Sequence, residues 1–371
     1  MKKLFYFVMI ILNVIVAISL LMSYLCVVIH PITIWWIGLF GLAYLHLLVV
    51  NLCFVVFWIF SGKKKMFVIS MVIILIGWPL LGRNIQLFKK KLPENEKQNW
   101  NLKVFSFNVQ GFVQMEKIYS NGMYLNLFNY LREKDADIIC FQEFAVYSWN
   151  NKLNKENIHK HFEKTPYYRM ELTADGPTGS HYQFGIATFS KYPIIRNKLI
   201  FTDGTTNACM YSDLLIGSDT VRVYNIHLKS VGFQNDDKKF LYNMIKREYG
   251  KSDARAVKSI IRRLSQSAFK RAEQVEILCS HIEQSSYPVI LCGDFNDPPT
   301  SFSYQRVRGN RKDAFMEAGS GLSTTFHVGR KAFFRIDCIM YSDVFKAYNY
   351  ESPRVHLSDH FPVMCRLVKR E

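Results

Sequence analysis

Acidic residues are missing from one end of this 371-residue chain: residues 1–91 contain no Asp or Glu, while nine Lys and Arg are scattered through them. The remaining residues hold all 30 acidic groups and 38 of the 47 basic ones, a surplus of eight within a formal charge of +17. Global basicity is therefore a poor argument for nucleic-acid binding, because about half of it belongs to the acid-free end. Cysteine is also sparse, with eight residues and no C-x-x-C pair, which excludes the usual zinc-site spacings and favours buried free thiols packed as small hydrophobes. No internal repeat and no low-complexity stretch is present. A mean hydropathy of +0.01 with so strong a charge excludes a wholly soluble chain and implies an apolar part joined to a polar one.

Three runs free of charged residues form the apolar part: 4–29, 33–60 and 66–82. A bilayer-spanning helix needs about 20 apolar residues, with a range of roughly 17 to 25. The lengths predict three transmembrane α-helices, forming an anchor over 1–82. A cleavable signal peptide would also place lysines before an apolar core, but this core is too long and two more runs follow it. Lys2 and Lys3 precede the first run and Lys63, Lys64 and Lys65 precede the third, so the positive-inside rule puts the N-terminus in the cytoplasm. Three crossings then carry the rest of the chain to the extracytoplasmic side of a cell or inner membrane, although Arg83 and Lys89 to Lys91 oppose that assignment. Trp35, Trp36, Trp58 and Trp78 lie near run ends, where indoles favour the membrane interface. Residues 83–100, with Pro93 and a polar ENEKQN stretch, read as a linker.

From residue 101 the pattern becomes short β-branched and aromatic runs separated by turns and helical stretches. Strands are expected near 103–109, 137–142, 184–190, 221–228, 288–292, 335–341 and 361–367, and helices near 120–134 and 255–284. This predicts an α/β (α+β) domain over 101–371 with more than one sheet. Polar residues fall at the tips of its apolar strands: Asn108 after LKVFSF, Glu143 after DIICFQ, Asn225 and His227 in VRVYNIH, Asp294 and Asn296 in LCGDFND, and Asp359 and His360 before FPVMCRL. Taken singly, each is more commonly a turn or a solvated loop residue. Asp337 differs, because a carboxylate inside the apolar run RIDCIM needs a His or Arg partner to offset its burial.

The ordered segments FNVQGF, ICFQEF, FGIATFSKYPI, YNIHLKS, LCGDFND, RIDCIM and SDHFPV resemble the endonuclease/exonuclease/phosphatase family, and together they span residues 101–371. The resemblance implies a four-layer sandwich of two packed mixed β-sheets flanked by helices, and a metal-dependent hydrolase of phosphate esters. By that resemblance Glu143 is the principal ligand of a Mg2+ or Mn2+ ion, with Asn108 and Asp359 contributing. Asp294 orients or deprotonates the attacking water, Asn296 holds phosphate or nucleophile, and His227 and His360 donate to phosphoryl oxygens, with Asp337 orienting His360. Every core position carries the expected residue type, which argues against a non-catalytic membrane protein built on the same fold. The position two after Asn108, sometimes acidic in the family, is Gln110.

Substrate choice does not follow from the fold. A basic stretch over 238–271 suits either a nucleic-acid backbone or an anionic membrane, and equally a solvated helix surface. Tethering to a bilayer through residues 1–82 favours a lipid headgroup or small-molecule phosphodiester or phosphomonoester. A membrane-anchored nuclease acting on DNA or RNA is the alternative. Nucleic acid is thus an admissible but not a required partner, and no protein partner is predicted.

Overall fold

A computed structural model describes the chain except residues 95–99, 113–123, 177, 179–180, 233–252, 329–330 and 371. Two compact units emerge, one of Met1–Leu81, Lys229–Val275 and Thr300–Arg306, the other of Gly82–Leu228, Glu276–Pro299 and Val307–Glu371.

In the first unit, the apolar runs fold as α1 (Lys2–Leu25), α2 (Ile37–Leu42), α3 (Tyr44–Phe60), α4 (Phe67–Ile76) and α5 (Trp78–Leu81). The expectation of three spanning helices is corrected here. Among the described residues, only α1 is both long and apolar enough to cross a membrane, with a mean hydropathy of 2.8 over its best window. The second run breaks between α2 and α3, leaving 17 residues, and the third breaks at Gly77, leaving 10. Gly77 has a local cause: a Cβ there would lie 2.2 Å from the Tyr24 ring. Pro79 cannot donate to the preceding turn, so the chain restarts as a separate short helix.

This bundle is apolar outside, and within an apolar interior that includes Leu20, Leu48, Val55 and Ile74 it buries a cluster of polar side chains. Asn13 Nδ2 donates to Ser70 Oγ at 2.5 Å, Ser70 Oγ donates to Asn51 Oδ1 at 2.9 Å, and Trp58 Nε1 donates to Asn13 Oδ1 at 2.8 Å, all buried. Trp58 is therefore an interior residue rather than an interfacial one, whereas Trp36 and Trp78 are exposed. Phe7, Ile11, Ile15 and Ile18 on α1, Val49, Leu52, Val56 and Ile59 on α3, and Val68, Val72 and Leu75 on α4 face outward. Lys63 Nζ lies 5.0 Å from the Tyr6 ring, which brings the second lysine cluster to the same end of the bundle as Lys2 and Lys3.

The second unit is built on two six-stranded sheets. Its strands are β1 (Ile85–Gln86), β2 (Asn101–Asn108), β3 (Ile138–Tyr147), β4 (Tyr167–Asp175), β5 (Tyr182–Ser190), β6 (Ile194–Thr202), β7 (Ala208–Ile216), β8 (Asp219–His227) and β9 (Val289–Asp294). They continue as β10 (Lys312–Asp313), β11 (Gly321–Leu322), β12 (Phe326–Val328), β13 (Lys331–Phe334), β14 (Asp337–Tyr341), β15 (Phe345–Glu351) and β16 (Val363–Lys369). One sheet has the order β10-β14-β9-β8-β7-β6 and the other β15-β16-β2-β3-β5-β4. The pairs β2–β3 and β8–β9 are parallel while their neighbours are antiparallel, so both sheets are mixed.

Alternation of side chains along the strands explains the layers. Val104, Ile138, Cys140 and Cys365 of one sheet pack with Val223, Ile290, Cys292 and Ile339 of the other in a single core. On the outer face of the second sheet, Phe107, Phe141 and Phe189 meet Phe128 and Leu131 of α6 (Tyr124–Lys134). The helix α7 (Asp253–Glu283) puts His281 against Tyr211 and Tyr224 on the outer face of the first sheet. Two sheets between helices give the expected four-layer sandwich. Short helices α8 (Phe302–Arg308) and α9 (Ala314–Ala318) complete the α-helices among the described residues. All eight cysteines are free, and Cys53 alone is exposed.

Candidate active site

The parallel pairs at the centre of each sheet end at one edge of the sandwich, and there the polar tips converge. Asn108 closes β2, His227 closes β8 and Asp294 closes β9, while Asp337 opens β14 as the cross-strand partner of Asp294. Glu143 sits inside β3, where Gln142 and Glu143 together oppose the single Ile186 of β5. This bulge, with Glu143 at φ 49°, turns the carboxylate away from the alternation of its strand. Its neighbour Gln142 points the other way and donates to Asn225 Oδ1 at 2.7 Å, and Asn225 donates to the carbonyls of Phe141 and Ala187. Gly293 is dictated by close approach, because a Cβ there would lie 1.9 Å from the Ile226 carbonyl oxygen.

Asp294 is the hub. Its Oδ1 accepts from the Asn296 amide at 2.8 Å, and its Oδ2 accepts from Asn108 Nδ2 at 3.0 Å. The same oxygen lies 3.7 Å from His227 Nε2 and 3.6 Å from His360 Nε2. Glu143 stands on the far side, 3.4 Å from Asn108 Nδ2 and 3.7 Å from His227 Nε2. Gln110 Nε2 donates to Asp359 Oδ2 at 2.9 Å, so the amide that replaces an acid at this position orients a carboxylate instead. Asp337 finds its required partner in His360, with Nδ1 2.9 Å from Asp337 Oδ2.

Burial sets the charges. It raises the Asp294 carboxyl above its ordinary range, helped by Asp337 and opposed by the two imidazoles. Burial likewise raises Asp359, with His360 opposing and Glu143 reinforcing. For His360 burial alone would favour the neutral ring, but Asp337 and Asp294 outweigh it and hold the ring well above its usual value, as an imidazolium.

All eight residues to which the resemblance assigns roles, Asn108, Glu143, His227, Asp294, Asn296, Asp337, Asp359 and His360, lie at this edge. Asn296 turns its side chain to the Leu228 carbonyl at 3.0 Å, leaving its backbone amide on Asp294. Arg271 and Gln274 hold Lys229 by its carbonyl and amide. Sequence reading missed Thr206 and Asn207: the Thr206 carbonyl takes His227 Nδ1 at 2.9 Å, and Asn207 Nδ2 lies 3.3 Å from Nε2. Their only signal is a turn-rich DGTTN before a strand that was not anticipated. Thr325 was missed too, although its hydroxyl accepts the amides of Ile336 and Asp337.

Two carboxyl clusters could hold a cation. Asp294, Asp337 and His360 bring their ligand atoms within 4.8 Å of one another, but they are buried and already joined by the His360–Asp337 hydrogen bond. Glu143 and Asp359 are the better fit. The Glu143 side chain is 28% exposed, Asp359 is half-buried, and the Glu143 carboxylate disfavours charge on Asp359, a repulsion that a cation relieves. Hard oxygens with access to water suit Mg2+ or Mn2+. Asn108 presents its nitrogen to Glu143 and Asp294 while its Oδ1 accepts from the Gln110 amide at 3.0 Å. As a ligand it would offer that oxygen.

Residues 105–360 match the family model described as "Endonuclease/Exonuclease/phosphatase family", and residues 2–84 match one described as a domain of unknown function. No curated protein matches the chain. Similar solved structures include an endonuclease/exonuclease/phosphatase from Beutenbergia cavernae DSM 12333, 14% identical over 72% of each chain with a TM-score of 0.49. A family protein from Leptotrichia buccalis C-1013-b is 18% identical over 73% of this chain and 100% of that one, with a TM-score of 0.47. Truncated Caenorhabditis elegans TDP2 is 16% identical over 72% and 98%, with a TM-score of 0.45.

Proposed function

The chain belongs to the endonuclease/exonuclease/phosphatase family and is a metal-dependent hydrolase of phosphate esters; from that premise we propose a membrane-anchored enzyme that cleaves a phosphodiester or phosphomonoester in a lipid headgroup or small molecule. The observation that carries the chemistry is Asp294, held by the Asn296 amide and flanked by His227 and His360 opposite Glu143.

In this reading Asp294 takes a proton from water as the water oxygen bonds to phosphorus in line with the departing group. Its raised affinity for protons suits a base, and such catalysis contributes roughly 10² to 10⁴ in rate. As the phosphorus–oxygen bond breaks, the His360 imidazolium covers the developing charge and gives its Nε2 proton to the leaving oxygen, while Asp337 holds Nδ1. His227, fixed by the Thr206 carbonyl, and Asn108 contact the remaining phosphoryl oxygens. Glu143 and Asp359, with Asn108, would hold the cation, which when bound polarises a phosphoryl oxygen and offsets negative charge. No covalent enzyme intermediate is required.

Membrane attachment rests on the apolar exterior of the helical bundle. Outward-facing Ile, Leu, Val and Phe around a hydrogen-bonded core of Asn13, Asn51 and Ser70 suit hydrocarbon as the solvent. On this reading residues 1–82 are the anchor, 83–100 the linker and 101–371 the catalytic domain. The lysines gathered at one end of the bundle favour that end as cytoplasmic, and α5 leaves from the end where Gly77 meets Tyr24 at the close of α1, which supports an extracytoplasmic catalytic domain.

The deciding experiment gives the full chain, reconstituted with Mg2+ or Mn2+, plasmid DNA, RNA, sphingomyelin, phosphoinositides and a chromogenic phosphodiester. Turnover of a lipid or small ester above that of nucleic acid supports the proposal. Plasmid degradation faster than any lipid turnover would favour a nuclease, the reading to which the cations of α7 lend weight. A reporter inserted after residue 100 that is active only in the cytoplasm would refute the outward topology.

A further inference from the structure

The described part of α7 carries a surface that the catalytic reading does not use. Arg255, Lys258 and Arg262 recur at helical spacing and are exposed, and beside them run Val257 and Ile261, 40% and 38% exposed. The two apolar side chains immediately precede two of the cations, so a cationic strip and an apolar strip run side by side along the exposed surface, about 100° apart around the helix. Ser267, Arg271, Ala272, Gln274 and Val275 are buried further along the same helix. Between Asp253 and Val275 the acids are Asp253 and Glu273, and Glu273 is engaged by Lys270 at 2.9 Å. The exposed face is therefore positively charged and partly apolar. Residues 238–251, the rest of the basic stretch, lie outside the described residues.

We propose that this face of α7 lies on the anionic surface of the bilayer that holds the anchor, with Arg255, Lys258 and Arg262 on lipid phosphates and Val257 and Ile261 dipping below them. The proposal rests on the membrane reading of the bundle. Two observations select lipid over a nucleic-acid backbone. An anionic bilayer offers phosphates above an apolar layer, so it matches both strips, whereas the outside of a duplex rewards only the cations. Residues 229–275 also belong to the compact unit that contains the apolar helices, in which Thr300 Oγ1 donates to the Gly41 carbonyl and Phe302 packs on His30. A lipid-facing helix in that unit has its ligand supplied by the anchor itself.

The test uses the full chain with exposed Cys53→Ser, carrying an environment-sensitive label at Ile261→Cys, or at Ile15→Cys on α1, in vesicles containing brominated lipid chains. Vesicles are phosphatidylcholine alone or with about one-third phosphatidylglycerol. The Ile261 label is expected to be quenched on phosphatidylglycerol vesicles, with the response reduced about fivefold or more by Arg255→Glu, Lys258→Glu and Arg262→Glu together. The Ile15 label is expected to be quenched in both vesicle types, with or without the charge reversal, which shows that the variant inserts and folds. An unquenched Ile261 label beside a quenched Ile15 label overturns the surface proposal and leaves the anchor standing. Both labels unquenched overturns the anchor and the proposal with it. An Ile261 label that responds to a DNA duplex but not to phosphatidylglycerol replaces lipid by nucleic acid.

Discussion

His360 Nδ1 lies 2.9 Å from Asp337 Oδ2 while the other ring nitrogen faces Asp294 at 3.6 Å, so one imidazole links a fully buried carboxylate to the one proposed to activate water. Asp337 opens an apolar strand and can reach no solvent, and its charge is compensated through His360. The pair therefore acts as a unit.

Asp337→Asn removes that charge at almost constant volume. We expect kcat to fall roughly 10² to 10⁴-fold, and the double variant with His360→Ala to be little worse than His360→Ala alone. A double variant whose losses multiply would show that the two residues act separately.

Glu143→Gln keeps shape and loses a ligand charge. Mn2+ affinity, read by calorimetry, should drop more than for Gln110→Leu, which takes away only the donor that orients Asp359 and should cost about 10 to 100-fold. Chelation should abolish wild-type activity, and Mg2+ or Mn2+ should restore it. Unchanged affinity in Glu143→Gln would remove Glu143 from the metal site.

Gly293→Ala forces a methyl against the Ile226 carbonyl, since the Cβ would stand 1.9 Å away. A loss of about 4 kcal/mol or failure to fold is expected. Gly217→Ala, at φ 62° in the β7–β8 turn with no atom within 4 Å, should cost only about 1 kcal/mol, both read by thermal unfolding.

Asn51→Leu breaks the polar core of the bundle by removing the acceptor for Ser70 and the donor to the Val16 carbonyl. Hydrogen bonds of this kind are worth about 0.6 to 2 kcal/mol in lipid, so a lowered unfolding midpoint in detergent is expected. An unchanged midpoint would show that the interior amides add nothing to packing.

The catalytic edge was legible because its residues interrupt apolar strands: Asp337 inside RIDCIM and Asp294 after VILCG are expensive placements that a sequence betrays. Strands β4, β6 and β15 were not anticipated. They lie at sheet edges, where half-exposed positions accept residues such as Arg169, Arg196 and Lys346, and their alternation is weak. β7 escaped for another reason: its apolar run is broken by Asp213, a carboxylate held by Arg222 at 2.7 Å, a pairing that no local pattern announces. The residues that aim His227 were hidden with it, because Thr206 and Asn207 immediately precede β7. In the bundle, run length alone overcounted the spanning helices, since the breaks at Gly77 and after α2 depend on packing and backbone geometry.

His227, Asp294 and Asp337 are direct cross-strand partners, one row across β8, β9 and β14. The spacing of these groups is thus set by hydrogen-bonded backbone alone. Loops joining the three strands can gain or lose residues, and so acquire new substrate contacts, while the reacting groups keep their separation. A single residue inserted within β9 between Val289 and Asp294 would dismantle the row at once.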